Sequence, residues 1–237
     1  MRFFFPQNIV DFGYLSYLLE GMDGRWALAI MALAYVFVGA QAYLLGSINP
    51  AILISKKCYG YDIRDYGSGN AGMTNMFRSF GTKAGLLTLA GDVAKSLCAV
   101  VISFLVLGGP GQYVAGFFCL IGHSFPIYHR FRGGKGIIVS GITILLIDPL
   151  VFLVLILVWA LMFFATKIIS AASLTVAFFY PLVVYAFNMR TPSLTYILFS
   201  LFMGLFVIAM HRENIHRILN KEEKKFTIHK DDKKKKK

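Results

Sequence analysis

The sequence predicts an all-α polytopic membrane protein with seven transmembrane helices, its N-terminus outside and its C-terminus cytoplasmic. Three observations point there. Of the 237 residues, 57% are hydrophobic and only 15% are charged, a balance foreign to a soluble domain. Seven apolar stretches are separated by turn-rich or charged connections. With seven spans, 20 of the 24 Lys and Arg residues fall on one side of the membrane, as interior connections require.

Taken in order, residues 1–26 are an N-terminal extension. Arg2 is followed by Phe3-Phe4-Phe5-Pro6 and then by Asp11, Glu20 and Asp23, with no small-residue cleavage site, which is unlike a signal peptide. Ile9–Leu19 is expected to lie as an interfacial helix. A helix crosses the hydrocarbon core in about 20 residues. The stretches that serve are Ala27–Ser55, Ala84–Leu107, Tyr113–Tyr128, Ile137–Ile147, Leu150–Ala165, Ala172–Phe187 and Leu194–Met210, two of them short. Asp148-Pro149 is read as a tight turn; one bent helix there would leave six spans and scramble the charges. The inner segments Lys56–Lys83, His129–Lys135, Thr166-Lys167 and everything after Met210 hold five, three, one and eleven Lys plus Arg. Arg2, Arg25 and Arg190 stay outside, and Lys95 lies within a span. Residues 27–219 thus form one domain, and 220–237 a basic cytoplasmic tail whose Lys233–Lys237 run suits an anionic leaflet. The net charge of +12 is therefore topological and gives no ground for a nucleic-acid partner. Cys58, Cys98 and Cys119 have no metal-ligand spacing, and no cofactor or metal is expected.

Two glycine-rich loops on the inner face carry the chemistry. Gly67-Ser68-Gly69-Asn70-Ala71-Gly72, continued by Thr74, Asn75 and Arg78, with Arg64 upstream, is rich in anion ligands. It has the outline of a dinucleotide fingerprint, but no strand precedes it and Asp92 falls in a membrane helix. Gly133-Gly134-Lys135-Gly136 is no phosphate-binding loop of the Walker type, because His129 stands where the first glycine belongs and Gly136 where Ser or Thr is required. What remains is a flexible backbone bearing one lysine at a helix start, which favours an anion. Asp92 and Lys95, at i, i+3, pair on one face of a span, where ionisable groups mark functional cavities. Ser170 and Ser173 sit at the inner boundary. His211, Asn214 and Ile218 share a face, while Glu213 and Arg217 pair at i, i+4. Gly122-His123-Ser124-Phe125-Pro126 lacks the closing glycine of a nucleophile elbow. Two phosphorylated substrates, at least one lipid-like, fit this set. A glycerol-phosphate transporter and a phospholipid-binding protein are the competing readings, though the polar groups cluster at one face rather than at the midplane.

These motifs resemble one family. Gly46-Ser47-Ile48, Asp62-Ile63-Arg64, Gly67-Ser68-Gly69-Asn70, Gly72, Thr74-Asn75, Arg78, Gly81, Asp92-Val93, Lys95, Gly122-His123, Phe125-Pro126, Gly133–Gly136, Ser170 and His211-Arg212-Glu213-Asn214-Ile215 follow the pattern of bacterial membrane acyl-phosphate:glycerol-3-phosphate acyltransferases. The resemblance runs from about Leu44 to Leu219. It departs at Met73, usually a small residue, and at Thr166-Lys167-Ile168, usually Ser/Thr-Arg-Tyr. It implies a multi-pass enzyme of the bacterial inner membrane that moves a fatty acyl group from acyl phosphate to glycerol 3-phosphate in phospholipid synthesis. Its other partners would be membrane lipids and a soluble phosphate acyltransferase that supplies the donor. It implies Lys135, Arg64, Ser47 and His211 as catalytic residues. Ser68, Gly69, Asn70, Gly72, Thr74, Asn75, Lys95, Gly133, Gly134, Gly136, Ser170 and Asn214 would bind substrate.

Overall fold

Capping residues set the helix boundaries. Asp23 accepts from Arg25 N and opens α2, Gly24–Ser47, whose 24 residues rise about 36 Å. Before it stands α1, Gln7–Leu18, broken at Gly13, where φ is +76°. The computed structural model of the chain describes residues 7–189 and 193–226; Arg2, Arg190 and the Lys233–Lys237 run lie outside the described residues. The continuous first span expected over 27–55 is broken. Ile48 is extended, the Asn49 side chain accepts from Ile52 N, and Pro50 begins α3, Pro50–Tyr59. Pro50 has no N–H to continue α2, yet fits the first helical position. Gly60, at φ +76°, closes α3.

The longest element, α4 (Met73–Ser124), runs over 52 residues but is interrupted by two glycines with non-helical backbone. Gly81 (φ +84°) and Gly108 (φ +65°) divide it into limbs 73–80, 82–107 and 109–124. At Gly108 the chain doubles back, so that Lys95 and His123, 28 residues apart, meet at 2.8 Å. This reversal stands where the sequence places the turn between the second and third spans. Gly13 of α1 packs its backbone against it, on Val106 and Gly108.

Downstream, α5 (Ile137–Ile147) and α6 (Pro149–Thr166) meet at Asp148, which caps α6 through Leu150 N and Val151 N. Gly141 of α5 then faces the Phe152 ring of α6, so this connection is a tight turn rather than one bent helix. α7 spans Ile169–Phe187, α8 Leu194–Met210 and α9 Arg212–Leu219, the last bent by 61° from α8. Ala115, Leu120, Val139, Val151, Tyr180 and Met203 bring α4 to α8 into one apolar core. Outside it, Leu33, Val36, Leu157, Leu161, Leu198 and Leu205 present apolar side chains to the surroundings, as a bilayer requires.

Among the described residues, four helical stretches are long and apolar enough to cross a membrane, or five when the bent pair α8–α9 counts as one span. α5, with 11 residues, falls short of a full crossing and does not meet the expectation for a span by length. No strand occurs among the described residues. The chain is an all-helical, multi-pass membrane protein.

Candidate active site

Both glycine loops come to one end of the helix bundle, at the rim of a cavity of about 820 Å³. The loop 66–72 is organised by Asn75, which is 1% exposed. Its Nδ2 donates to the carbonyls of Ile63, Tyr66 and Asn70, and its Oδ1 accepts from Ser68 N. The loop needs positive φ at Gly67 and Gly69, which glycine adopts without strain. Gly72 caps α4, no side-chain hydrogen bond caps that helix start, and its first-turn residues Met73, Thr74 and Asn75 line the cavity.

The second loop packs by its backbone. Gly133 N donates to Ser124 O and Gly134 N to His123 O. A Cβ on Gly134 would stand 2.2 Å from His123 Nε2, and one on Gly133 2.0 Å from His123 O. These two glycines let the chain lie on the end of α4, while Gly136 (φ +78°) starts α5. Lys135, between them, reaches the cavity and donates to Asn214 Oδ1. Burial, followed by the nearby Arg217 charge, pushes its pKa down to about 8.

Around Lys135 stand Ser170 at the start of α7, His211 at the α8–α9 bend, and Asn214 and Arg217 of α9. His211 Nδ1 donates to Val207 O at 2.7 Å, which leaves Nε2 as the acceptor of the ring. Below this rim the cavity wall is apolar, with Ile138, Ile142, Phe152, Leu155, Trp159, Val176, Ala177 and Val207 from α5 to α8. Such a cavity holds a polar head at the rim and an apolar chain within.

Of the residues expected at the site, Ser68, Asn70, Gly72, Thr74, Asn75, Lys135, Gly136, Ser170, His211 and Asn214 line this cavity, and Arg64, Ser47, Gly69, Lys95, Gly133 and Gly134 stand behind it. Arg64 grips Asp62 through Nε and Nη2, at 3.0 and 2.7 Å, and its Nη1 donates to His129 O. That fork joins the two loops and holds the Asp62 carboxyl well below the usual carboxylate range, against the effect of burial. Ser47 Oγ, fully buried, accepts from Ile127 N at 3.4 Å. Lys95 pairs with Asp92 at 2.8 Å, as the i, i+3 spacing implies. It also donates to Gly46 O, Ile48 O and His123 Nδ1, tying α2 to both long limbs of α4.

Sequence reasoning counted Arg78 among the anion ligands of the first loop without assigning it to the site, and it passed over Arg217, Glu223 and Lys224, which the structure also brings to the cavity. Arg78 lines the cavity where Arg64 does not. Arg217, read as the partner of Glu213, is 3.9 Å from that carboxylate but donates to Glu223 Oε2 at 2.7 Å. Glu223 and Lys224 reach the rim because the chain folds back after α9. Arg78 and Arg217 were legible as basic residues of inner segments; nothing in a lysine-rich tail singled out Glu223.

The model of the family described as glycerol-3-phosphate acyltransferase matches residues 28–221. The glycerol-3-phosphate acyltransferase of Bacillus subtilis is 40% identical over 185 residues, covering 78% of this chain and 93% of the relative. That of Geobacillus kaustophilus is 39% identical over 184 residues, covering 78% and 92%. The crystal structure of PlsY (YgiH), an integral membrane glycerol 3-phosphate acyltransferase, in its glycerol 3-phosphate form, superposes with a TM-score of 0.74 and 31% identity, covering 81% of this chain and 96% of that one. Its lysophosphatidic acid form gives 0.72 and 30%, covering 82% and 96%. Matched over most of its length in sequence and in three dimensions, the chain belongs to the glycerol-3-phosphate acyltransferase family.

Proposed function

We propose that the protein transfers a fatty acyl group from acyl phosphate to the sn-1 hydroxyl of glycerol 3-phosphate, giving 1-acyl-glycerol 3-phosphate and inorganic phosphate. The observation that carries this reading is the cation- and hydroxyl-bearing rim of Lys135, Arg78, Arg217, Ser170 and Asn214 set directly on an apolar cavity. The acyl chain lies among α5 to α8, and the open start of α4 with Ser68, Asn70 and Thr74 receives the donor phosphate. Lys135, Ser170, Asn214 and Arg217 receive the phosphate of the acceptor.

The acceptor oxygen attacks the acyl carbon. A new C–O bond forms as the bond from that carbon to the phosphate oxygen breaks, and the electron pair leaves with inorganic phosphate. The hydroxyl proton passes to the acceptor's own phosphate, a largely dianionic group at neutral pH with a second pKa near 6. A mixed anhydride is already reactive, so holding two mutually repelling anions in attack geometry is the main task. His211 positions the acceptor. Arg64, Ser47, Lys95, Gly133 and Gly134 act through the loops they hold.

The rim faces the cytoplasm of a bacterial inner membrane, and seven crossings place the N-terminus outside, with α1 at the outer interface and residues 220–237 inside. The 82–107 and 109–124 limbs count as separate crossings and α5 as a short one. The donor comes from a soluble enzyme that makes acyl phosphate.

Purified protein given palmitoyl phosphate should release phosphate only when glycerol 3-phosphate is present, with lysophosphatidic acid formed in equal amount. Phosphate release that ignores glycerol 3-phosphate, or full turnover on acyl-CoA without acyl phosphate, would overturn the reading.

A further inference from the structure

The cation cluster at the rim already holds an anion, and it comes from the chain itself. Glu223 Oε1 accepts from Ser170 Oγ and from Asn214 Nδ2, both at 2.7 Å, and Oε2 accepts from Arg217 Nε at 2.7 Å. Its side chain is only 6% exposed. A carboxylate with two oxygens on a hydroxyl, an amide and a guanidinium takes donors that equally suit two oxygens of a phosphate. The same segment takes up the other rim arginine, since Arg78 Nη2 donates to Lys224 O at 3.0 Å.

The segment behaves as a strap across the rim. Lys221, at φ +59°, turns the chain back after α9, and the N–H groups of Glu222 and Glu223 bond to Arg217 O. Phe226 N donates to Lys167 O, and the Phe226 ring lies edge-on to Phe77 and Phe163. Apart from that ring and Glu223, the strap contributes exposed charged residues, so Glu223 and Phe226 are its main attachments. The family match ends at residue 221, two positions before Glu223. Glu223 is a poor choice as a proton acceptor. Burial opposes its charge, but hydrogen bonds from Arg217, Ser170 and Asn214 prevail and hold its pKa below the ordinary glutamate value.

We infer that Glu223 is an internal competitor for the acceptor's phosphate, and that the strap 221–226 must lift from the rim before glycerol 3-phosphate, or any phosphate monoester, can seat. The inference rests on reading Ser170, Asn214 and Arg217 as the acceptor's phosphate subsite. The strap thereby sets the acceptor concentration at which the enzyme works, by withholding the subsite for most of the time.

The test uses full-length protein in lipid nanodiscs and two variants, Glu223→Gln and Phe226→Ala. Equilibrium binding of inorganic phosphate and of glycerol 3-phosphate is measured beside steady-state kinetics. Both variants should bind both anions more tightly, by roughly tenfold for Glu223→Gln and less for Phe226→Ala. The KM for glycerol 3-phosphate should fall in step, while kcat and the KM for palmitoyl phosphate hold. Unchanged or weaker anion binding in both variants overturns the inference, and so does a tenfold fall in kcat for Glu223→Gln, which would make Glu223 part of the chemistry. Should Glu223→Gln fail to fold, Phe226→Ala decides alone. Wild-type turnover with no gain in variant affinity sinks the competitor and leaves the proposed function standing. Tighter phosphate binding in an enzyme without turnover does the reverse.

Discussion

Lys135 concentrates what a single residue contributes to this site. It is half-buried at the start of a helix and tied to Asn214, so its loss removes a charge-assisted contact to phosphate rather than a surface charge. Lys135→Ala should lower kcat/KM for glycerol 3-phosphate by about 1.5–3 kcal/mol, roughly one to two orders of magnitude. Lys135→Arg should restore only part of this, because a planar fork does not replace a compact ammonium. Steady-state kinetics on correctly inserted variants checks both. The same residue sets a pH limit. Burial, with Arg217 and Arg78, lowers its pKa to about 8, while Glu223 and Glu213 oppose the shift. The ammonium is present below that pH and lost above it, so kcat/KM for the acceptor should fall on the alkaline side with a midpoint near 8, well below the ordinary lysine value. A profile flat to pH 10 would remove Lys135 from anion binding. Lys135, Ser170, His211 and Asn214 were legible in the sequence because each is a polar residue at the inner end of an apolar stretch. Arg64 and Arg78 looked alike on that criterion. What separates them is Asp62, two positions before Arg64, which captures its guanidinium through local turn geometry. Glu223 left no local trace, since it reaches the rim only through the tertiary fold-back.

Between elements, glycine marks where backbones touch. A Cβ on Gly122 would stand 2.2 Å from Tyr43 O, and one on Gly46 2.3 Å from Cys119 O, so α2 and the 109–124 limb of α4 meet backbone to backbone. Small residues are how membrane helices approach so closely. Gly122→Ala should therefore push these helices apart and destabilise the protein by about 1–3 kcal/mol. Gly141→Ala, whose Cβ would meet only the Phe152 ring at 3.8 Å, should be neutral or slightly stabilising. Thermal unfolding in one detergent compares the pair directly, and equal melting temperatures would contradict the contact. Apolar stretches and turn residues were enough to locate α5, α6, α7 and α8. Two details escaped them. Asn49-Pro50 reads as part of an apolar run, yet a cap and a missing N–H end α2 there. The glycines around Lys135 read as a flexible, substrate-binding backbone, whereas Gly133 and Gly134 make contacts with His123, which no local pattern encodes.

For the molecule as a whole, the charge distribution and the doubling back at Gly108 support one arrangement in the bilayer. Reporters placed at Gly109, Asp148 and Asn188 should lie outside, and those at Arg78, Lys135 and His216 inside. Asp148 found in the cytoplasm would refute seven crossings. The Lys95 cluster carries a consequence for how such a molecule is made. A lone ammonium or carboxylate in lipid is costly, and removing one member of a buried pair typically costs 3–5 kcal/mol. Asp92 precedes Lys95 by three residues, and the carbonyls of Gly46 and Ile48 belong to the end of α2 and the extended residue just after it. Three of the four partners of this lysine have therefore left the ribosome before it does, and His123 follows only after the hairpin closes. Synthesis from N- to C-terminus delivers the counter-ion ahead of the charge, so the 82–107 segment enters the membrane already neutralised and does not wait for the second half of the protein.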